Sequence, residues 1–202
     1  LLAYLEKYAS EGNGLTESTM KGRKFMRRKV EEYLRSTGRL NIAMLEVDLD
    51  FCRGFINFLR TAKNRRLKSE ERTISNCTGL QTQAVFTAAL NTALRDGIIE
   101  RNPMTLLTSK ERFHQQESTR VYLTIDELKR MMATPCDDGE LKKAFLFACF
   151  TGLRLSDICT FTWNKVLTTP NDSARYIRVR MLKTQQVVNV PLSKDALGYL
   201  RE

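Results

Sequence analysis

Apolar residues recur at helical spacing through the first hundred positions of the chain. Leu1, Leu2, Leu5 and Tyr8 share one face of a first helix, which Gly12-Asn13-Gly14 breaks. Thr16-Glu17-Ser18-Thr19 offers oxygen-bearing caps to a second helix that runs to about Arg35. Its apolar positions, Met20, Phe25, Met26, Val30, Tyr33 and Leu34, fit a 3.6-residue period, and Gly38 ends it. A third helix starts in the 48–50 region with Phe51, Phe55, Phe58 and Leu59 inward, and the polar, basic stretch from Thr61 to Arg72 reads as a loop. A fourth, long helix is expected from about Glu70 to Asp96, with Leu80, Ala84, Phe86, Ala88, Leu90 and Leu94 on its core side. Gly97 then stops the helix, and Asn102-Pro103 turns the chain.

The pattern changes after Thr108. Large apolar residues nearly vanish up to Arg120, which predicts a linker. Thr124 with Glu127 three residues later has the form of a capping box, opening a helix to about Met132. A turn over Pro135–Gly139 leads to a strongly apolar helix from Leu141 to Phe150. Thr151-Gly152 breaks that helix and Arg154 opens the next. From Arg175 the period becomes two, over Tyr176–Met181 and again, more loosely, over Val187–Leu192. With Lys183–Gln186 as the turn, this predicts a β-hairpin, and Ser193 is placed to cap a last helix. The expected organisation is a mainly α fold: a helical domain over 1–106, a linker over 107–118, and a mixed α/β part with a hairpin over 119–202.

Charge narrows the partner. Lys and Arg outnumber Asp and Glu by 33 to 23, a formal net charge of +10, which favours an anionic partner over a neutral one. A soluble basic protein with no polyanion partner stays open at this point. The five cysteines include no C-x-x-C pair, and Cys149 and Cys159 lie in apolar runs, which suits small buried thiols rather than disulfides. The single histidine, His114, has no cysteine cluster near it, so no metal and no other cofactor is expected. Ala144 to Phe150 is the longest apolar stretch and is too short to cross a bilayer. The chain opens on Leu rather than Met, as an excised piece of a longer protein would, and the cytoplasm is the expected location.

Two features carry chemistry. Arg154, flanked by Leu153 and Leu155, is expected to be partly buried and therefore paired, with Asp157 one helical turn away as the partner. A plain intramolecular Arg–Asp pair accounts for the same spacing. Lys183, with Thr184 at the hairpin turn, is a mobile donor, although turns commonly carry polar residues for no further reason.

In this order and spacing the residues resemble the tyrosine recombinase (phage integrase) family. The resemblance rests on Phe150-Thr151-Gly152-Leu153-Arg154-Leu155-Ser156-Asp157-Ile158, Phe161-Thr162-Trp163, Leu182-Lys183-Thr184 and Val190-Pro191-Leu192-Ser193. It extends to the helix exit Arg95-Asp96-Gly97-Ile98-Ile99 followed by Arg101-Asn102-Pro103, and is nearest to integrases carried by conjugative transposons. The resemblance implies a four-helix, SAM-like core-binding domain followed by the first part of a catalytic domain, the two clamping duplex DNA. It implies that Arg154 ligates the scissile phosphate, that Lys183 protonates the leaving 5′ oxygen, and that Asp157 buttresses the site. The family also uses a His-x-x-Arg pair, a further His or Trp, and a tyrosine that forms a 3′-phosphotyrosyl intermediate. His114 precedes Arg154 and does not fit that pattern, and all six tyrosines (4, 8, 33, 122, 176 and 199) read as packing residues. The stretch as given is therefore expected to bind DNA without cutting it.

Lys21, Arg23, Lys24, Arg27 and Arg28, with Lys29, put six basic residues into nine positions of the second helix, a natural phosphate-contacting stripe. Arg72, Thr73, Ser75 and Asn76 at the start of the fourth helix offer polar groups to a groove, and Arg120 at the linker exit offers a backbone contact. Rival readings are a non-catalytic DNA-binding regulator, a type IB topoisomerase-like enzyme and a basic structural protein. Family members act as tetramers on DNA, whereas a piece of this length is expected to be monomeric in solution.

Overall fold

The computed structural model describes residues 1–12, 14–64, 73–117, 121–170 and 174–200. They form two compact units, Leu1–Thr119 and Arg120–Glu202. The first contains four helices, α1 (Leu2–Ser10), α2 (Glu17–Ser36), α3 (Leu49–Thr61) and α4 (Asn76–Arg95). The second contains α5 (Ile125–Ala133), α6 (Gly139–Thr151), α7 (Leu155–Cys159), strands β1 (Val166–Thr168), β2 (Arg175–Arg180) and β3 (Val187–Pro191), and α8 (Lys194–Gly198).

Local chemistry sets the helix starts. Thr16, Asp48 and Ser75 each accept a backbone N–H three residues on, relieving orphan donors of the first turn. Ser75 therefore opens α4 about five residues later than the apolar pattern suggested. At its far end Gly97 (φ 71°) takes the left-handed conformation, and the Ile98 N–H reaches the Ala93 carbonyl at 2.9 Å. That closes the helix in the manner only glycine adopts cheaply.

The first core lies where the four helices meet. Leu5, Met26, Val30, Leu34, Phe55, Leu59, Phe86 and Leu90 are fully enclosed in it. Phe55 meets Phe86 edge-on with ring centroids 5.0 Å apart, and Tyr33 meets Phe51 in the same way at 5.3 Å. On α4 the inward positions are Phe86, Ala89, Leu90 and Ala93, whereas Ala84, Ala88 and Leu94, expected inward, are exposed.

Residues 107–113 correct the linker expectation. Leu107 (3% exposed) and Phe113 (6%) are core residues of the first unit. Arg53 pairs with Glu111 at 2.6 Å, and the Gln83 side-chain carbonyl accepts the Phe113 N–H at 2.8 Å. A polar segment with one well-placed aromatic is thus strapped to α3 and α4 by hydrogen bonds that composition alone does not show.

In the second unit a three-stranded antiparallel sheet runs β1-β2-β3, pairing Val166 with Ile177 and Ile177 with Val190. Ile177 and Val179 point inward from β2 onto Phe147, Leu153, Met181 and Ala196. Pro191 pairs with Tyr176 at the end of β3, an edge strand, where a missing N–H is tolerated. Strand β1 had no alternation long enough to announce it. Three further expectations fail: Cys149 and Cys159 are exposed and Cys52 is the buried thiol, Arg154 is exposed, and Tyr122 is 81% exposed rather than packed. Burial pushes the Cys52 thiol up to about 12.

Candidate active site and nucleic-acid interface

The first candidate site forms where α6 ends. The Thr151 hydroxyl donates back to the Phe147 carbonyl at 2.8 Å, and Gly152 (φ 66°) turns the chain out of the helix. Leu153 drops into the second core, and Arg154 becomes the N-cap residue of α7 with its side chain in solvent. The buried anchor of this turn is therefore the leucine, not the arginine.

Asp157 is fully buried, yet it does not pair with Arg154. Its Oδ1 accepts the backbone N–H of Leu182 at 3.0 Å, twenty-five residues away, while Oδ2 is enclosed without a partner. Leu182 is the first residue of the hairpin turn, and Lys183 follows it at the exposed tip. Within the turn, the Gln185 N–H reaches the Met181 carbonyl at 2.8 Å and the Met181 N–H reaches the Gln186 carbonyl at 2.9 Å. Gln185 itself sits at φ 59°, and its side-chain amide donates to the Leu182 carbonyl at 2.9 Å.

One hydrogen bond thus ties the helical turn that begins at Arg154 to the turn that carries Lys183. Two exposed cations are held on neighbouring backbone by a buried carboxylate. The second carboxylate oxygen, Oδ2, is buried and remains an unused acceptor among the described residues. A three-residue separation between Arg154 and Asp157 says nothing about a partner that arrives from another element, which is how Leu182 takes the carboxylate.

The second candidate site is α2 with the start of α4. The basic stripe divides in two. Arg23 donates to the carbonyls of Tyr8 and Glu11 at 2.8 and 2.9 Å, with its guanidinium 4.0 Å over the Tyr8 ring. Arg27 is ion-paired with Glu6 and Glu31, both at 2.7 Å. Lys29, 2% exposed, holds Glu32 at 2.8 Å and donates to the Lys63 carbonyl at 3.1 Å. These three bind the domain together. Lys21, Lys24 and Arg28 project outward, at spacings of three and four residues that place them on one arc of the helix. Among the described residues Lys21 pairs with Glu17 at 2.8 Å, both side chains largely exposed, a weak tie.

At the head of α4, Thr73 is exposed and bridges Lys63 through its backbone. Ser75 caps the helix, and the Asn76 amide donates to the His114 carbonyl at 2.7 Å. Both are committed to local structure. Arg72 and Arg120 lie outside the described residues. The sequence reading passed over Gln81, exposed on α4 and facing α2, because a lone glutamine in a helix carries no pattern. Among the described residues no three His, Cys, Asp or Glu side chains are grouped to hold a metal, and no helix is long and apolar enough to cross a membrane.

Comparison with known proteins gives the frame for both sites. The model of the phage integrase SAM-like domain matches residues 1–113, and the model of the phage integrase family matches residues 121–202. Among solved structures, the Tn1549 transposon integrase in complex with circular intermediate DNA matches over 98% of this chain at 19% identity and a TM-score of 0.67. A lambda integrase dimer bound to a COC′ core site matches over 95% at 18% identity and a TM-score of 0.68. This chain spans 62% of the former and 48% of the latter. No curated protein matches by sequence. With one family model over the helical unit and its companion over the sheet-bearing unit, the chain belongs to the phage integrase family, the tyrosine recombinases.

Proposed function

We propose that this chain supplies the DNA-holding domain and part of the catalytic centre of a site-specific recombinase that cuts and rejoins duplex DNA through a 3′-phosphotyrosyl intermediate. The observation that carries the reading is the Asp157–Leu182 hydrogen bond, because it sets Arg154 and Lys183 on adjoining backbone. Arg154 would ligate the scissile phosphate and offset the charge that builds on its oxygens. Lys183, at the exposed tip, would deliver a proton to the leaving 5′ oxygen. Asp157 positions both and touches neither the phosphate nor the leaving oxygen.

In the first unit Lys21, Lys24 and Arg28 are the phosphate contacts, with Thr73 a further one before α4, while Arg23 and Arg27 act indirectly by holding α2 against α1. The domain boundary in this reading falls after Phe113, and the partner is duplex DNA, with a tetramer as the acting assembly and the cytoplasm as its location. The 202 residues contain no His-x-x-Arg sequence, so by themselves they bind without cutting.

Two measurements test this. Duplex binding should weaken steeply with salt, and Lys24→Ala with Arg28→Ala should lower the slope of log affinity against log salt by about two. An affinity independent of salt ends the reading. In the full-length protein, Arg154→Ala should reduce covalent protein–DNA adduct formation at least about a hundredfold while leaving binding largely intact. Normal adduct yield from that variant removes Arg154 from the role.

A further inference from the structure

Three glycines lie inside the long helices, where the residue is among the poorest helix formers and calls for a reason. Two have one within the protein. A Cβ on Gly54 would meet the Tyr33 hydroxyl at 2.1 Å, and a Cβ on Gly79 would meet the Phe113 ring at 2.5 Å. Gly22 has none among the described residues: a Cβ there would meet the Gln81 amide nitrogen at an ordinary 4.0 Å, and its φ is not positive. No described residue forbids a side chain at position 22.

The surroundings point outward. Gly22 lies in a groove between α2 and α4 that is also lined by Ser18, Lys21, Phe25, Thr78 and Gln81. Lys21 and Gln81 are exposed, and the Gln81 carboxamide makes no hydrogen bond among the described residues. The backbone of one helical residue without a side chain therefore sits beside Lys21 and an unengaged amide. Glycine is the residue that lets a backbone approach a ligand closely. A carboxamide is the group that pairs in two-point fashion with the exposed edge of adenine.

We propose that Gly22 is the point where α2 closes on the duplex, and that Gln81 reads a base, adenine by its hydrogen-bonding pattern, in the same groove. The inference rests on the DNA-binding function proposed above and adds the place of closest approach and a residue that confers sequence preference. It makes Gly22 a residue kept for binding against the interest of stability.

The experiment pairs two readouts on Gly22→Ala in the 202-residue chain. Thermal melting should rise by about 3 °C, because alanine favours the helix and meets no clash. Affinity for a labelled mixed-sequence duplex of roughly 30 base pairs, three helical turns, should fall about tenfold. A higher melting temperature with unchanged affinity overturns the inference and leaves the DNA-binding function standing. A lower melting temperature also overturns it, since the glycine then serves the fold. If the unsubstituted chain fails to bind the duplex, the function proposed above falls first and this inference with it. Selection from a randomised duplex library then tests Gln81: Gln81→Ala should lose a preference for adenine at one position that the unsubstituted chain shows, and identical selected sequences from the two proteins overturn its assignment.

Discussion

Among the described residues the first unit gathers twenty-one buried side chains into one core, and the second gathers six. Their lengths, 119 and 83 residues, do not account for the difference. In the first, α1 to α4 each present an apolar stripe and enclose it mutually. In the second, α5 buries none of its side chains, and Leu141, Phe145 and Trp163 stay largely exposed. The buried polar groups differ as well. Lys29 in the first unit is matched by Glu32 and the Lys63 carbonyl, whereas Asp157 in the second keeps one oxygen without a partner. The first unit is held by the larger buried apolar core, with polar bonds added to it.

The comparison can be broken in three places. The largest effect is expected from Phe86→Ala, which removes the ring that Phe55 and Phe51 pack against and should cost about 3–5 kcal/mol in denaturant unfolding. A cost below about 1 kcal/mol would mean that the first core relaxes freely and does not dominate its unit. Next comes Asp157→Ala, which strands the Leu182 N–H and should cost about 1–3 kcal/mol with faster exchange of that amide. Asp157→Asn keeps an accepting oxygen and should restore the protection. An unchanged Leu182 exchange rate in the alanine variant would show that the hairpin does not need the bond.

The smallest effect is acid-dependent and belongs to the first unit. Hydrogen bonds from the Thr108 backbone, then from Arg53 and the Thr108 hydroxyl, hold the Glu111 carboxyl down at about 2. The folded value lies below the unfolded one, so the contribution is complete above the ordinary carboxylate range and is lost as pH falls through about 2. A carboxyl chemical-shift titration should therefore find its midpoint near 2. A midpoint near the ordinary 4.5 would show that the strap over residues 107–113 is not closed in solution.

Much of the fold is legible along the chain because its signals are local. Thr16, Asp48 and Thr124 cap helices through bonds spanning three residues, and the period-two stretch around Ile177 can only be a strand. The ordered set around Arg154 and Lys183 already points to the family. Other features left no local trace. Strand β1 is three residues long and exists through its pairing with β2. Phe113 lies in a polar stretch that reads as a linker, and its burial follows only from Gly79 and Gln83, which receive it.

The sequence by itself made the main helices and the hairpin legible and singled out Arg154 and Lys183 as candidates, because periodicity, caps and turns act within a few residues. Only the tertiary structure decided which charges are free. Charge is visible in a sequence but its partners are not, since they arrive from elements far along the chain. Arg23 and Arg27 are drawn into α1, Asp157 turns away from Arg154 toward Leu182, and Gly22 is left bare beside Gln81.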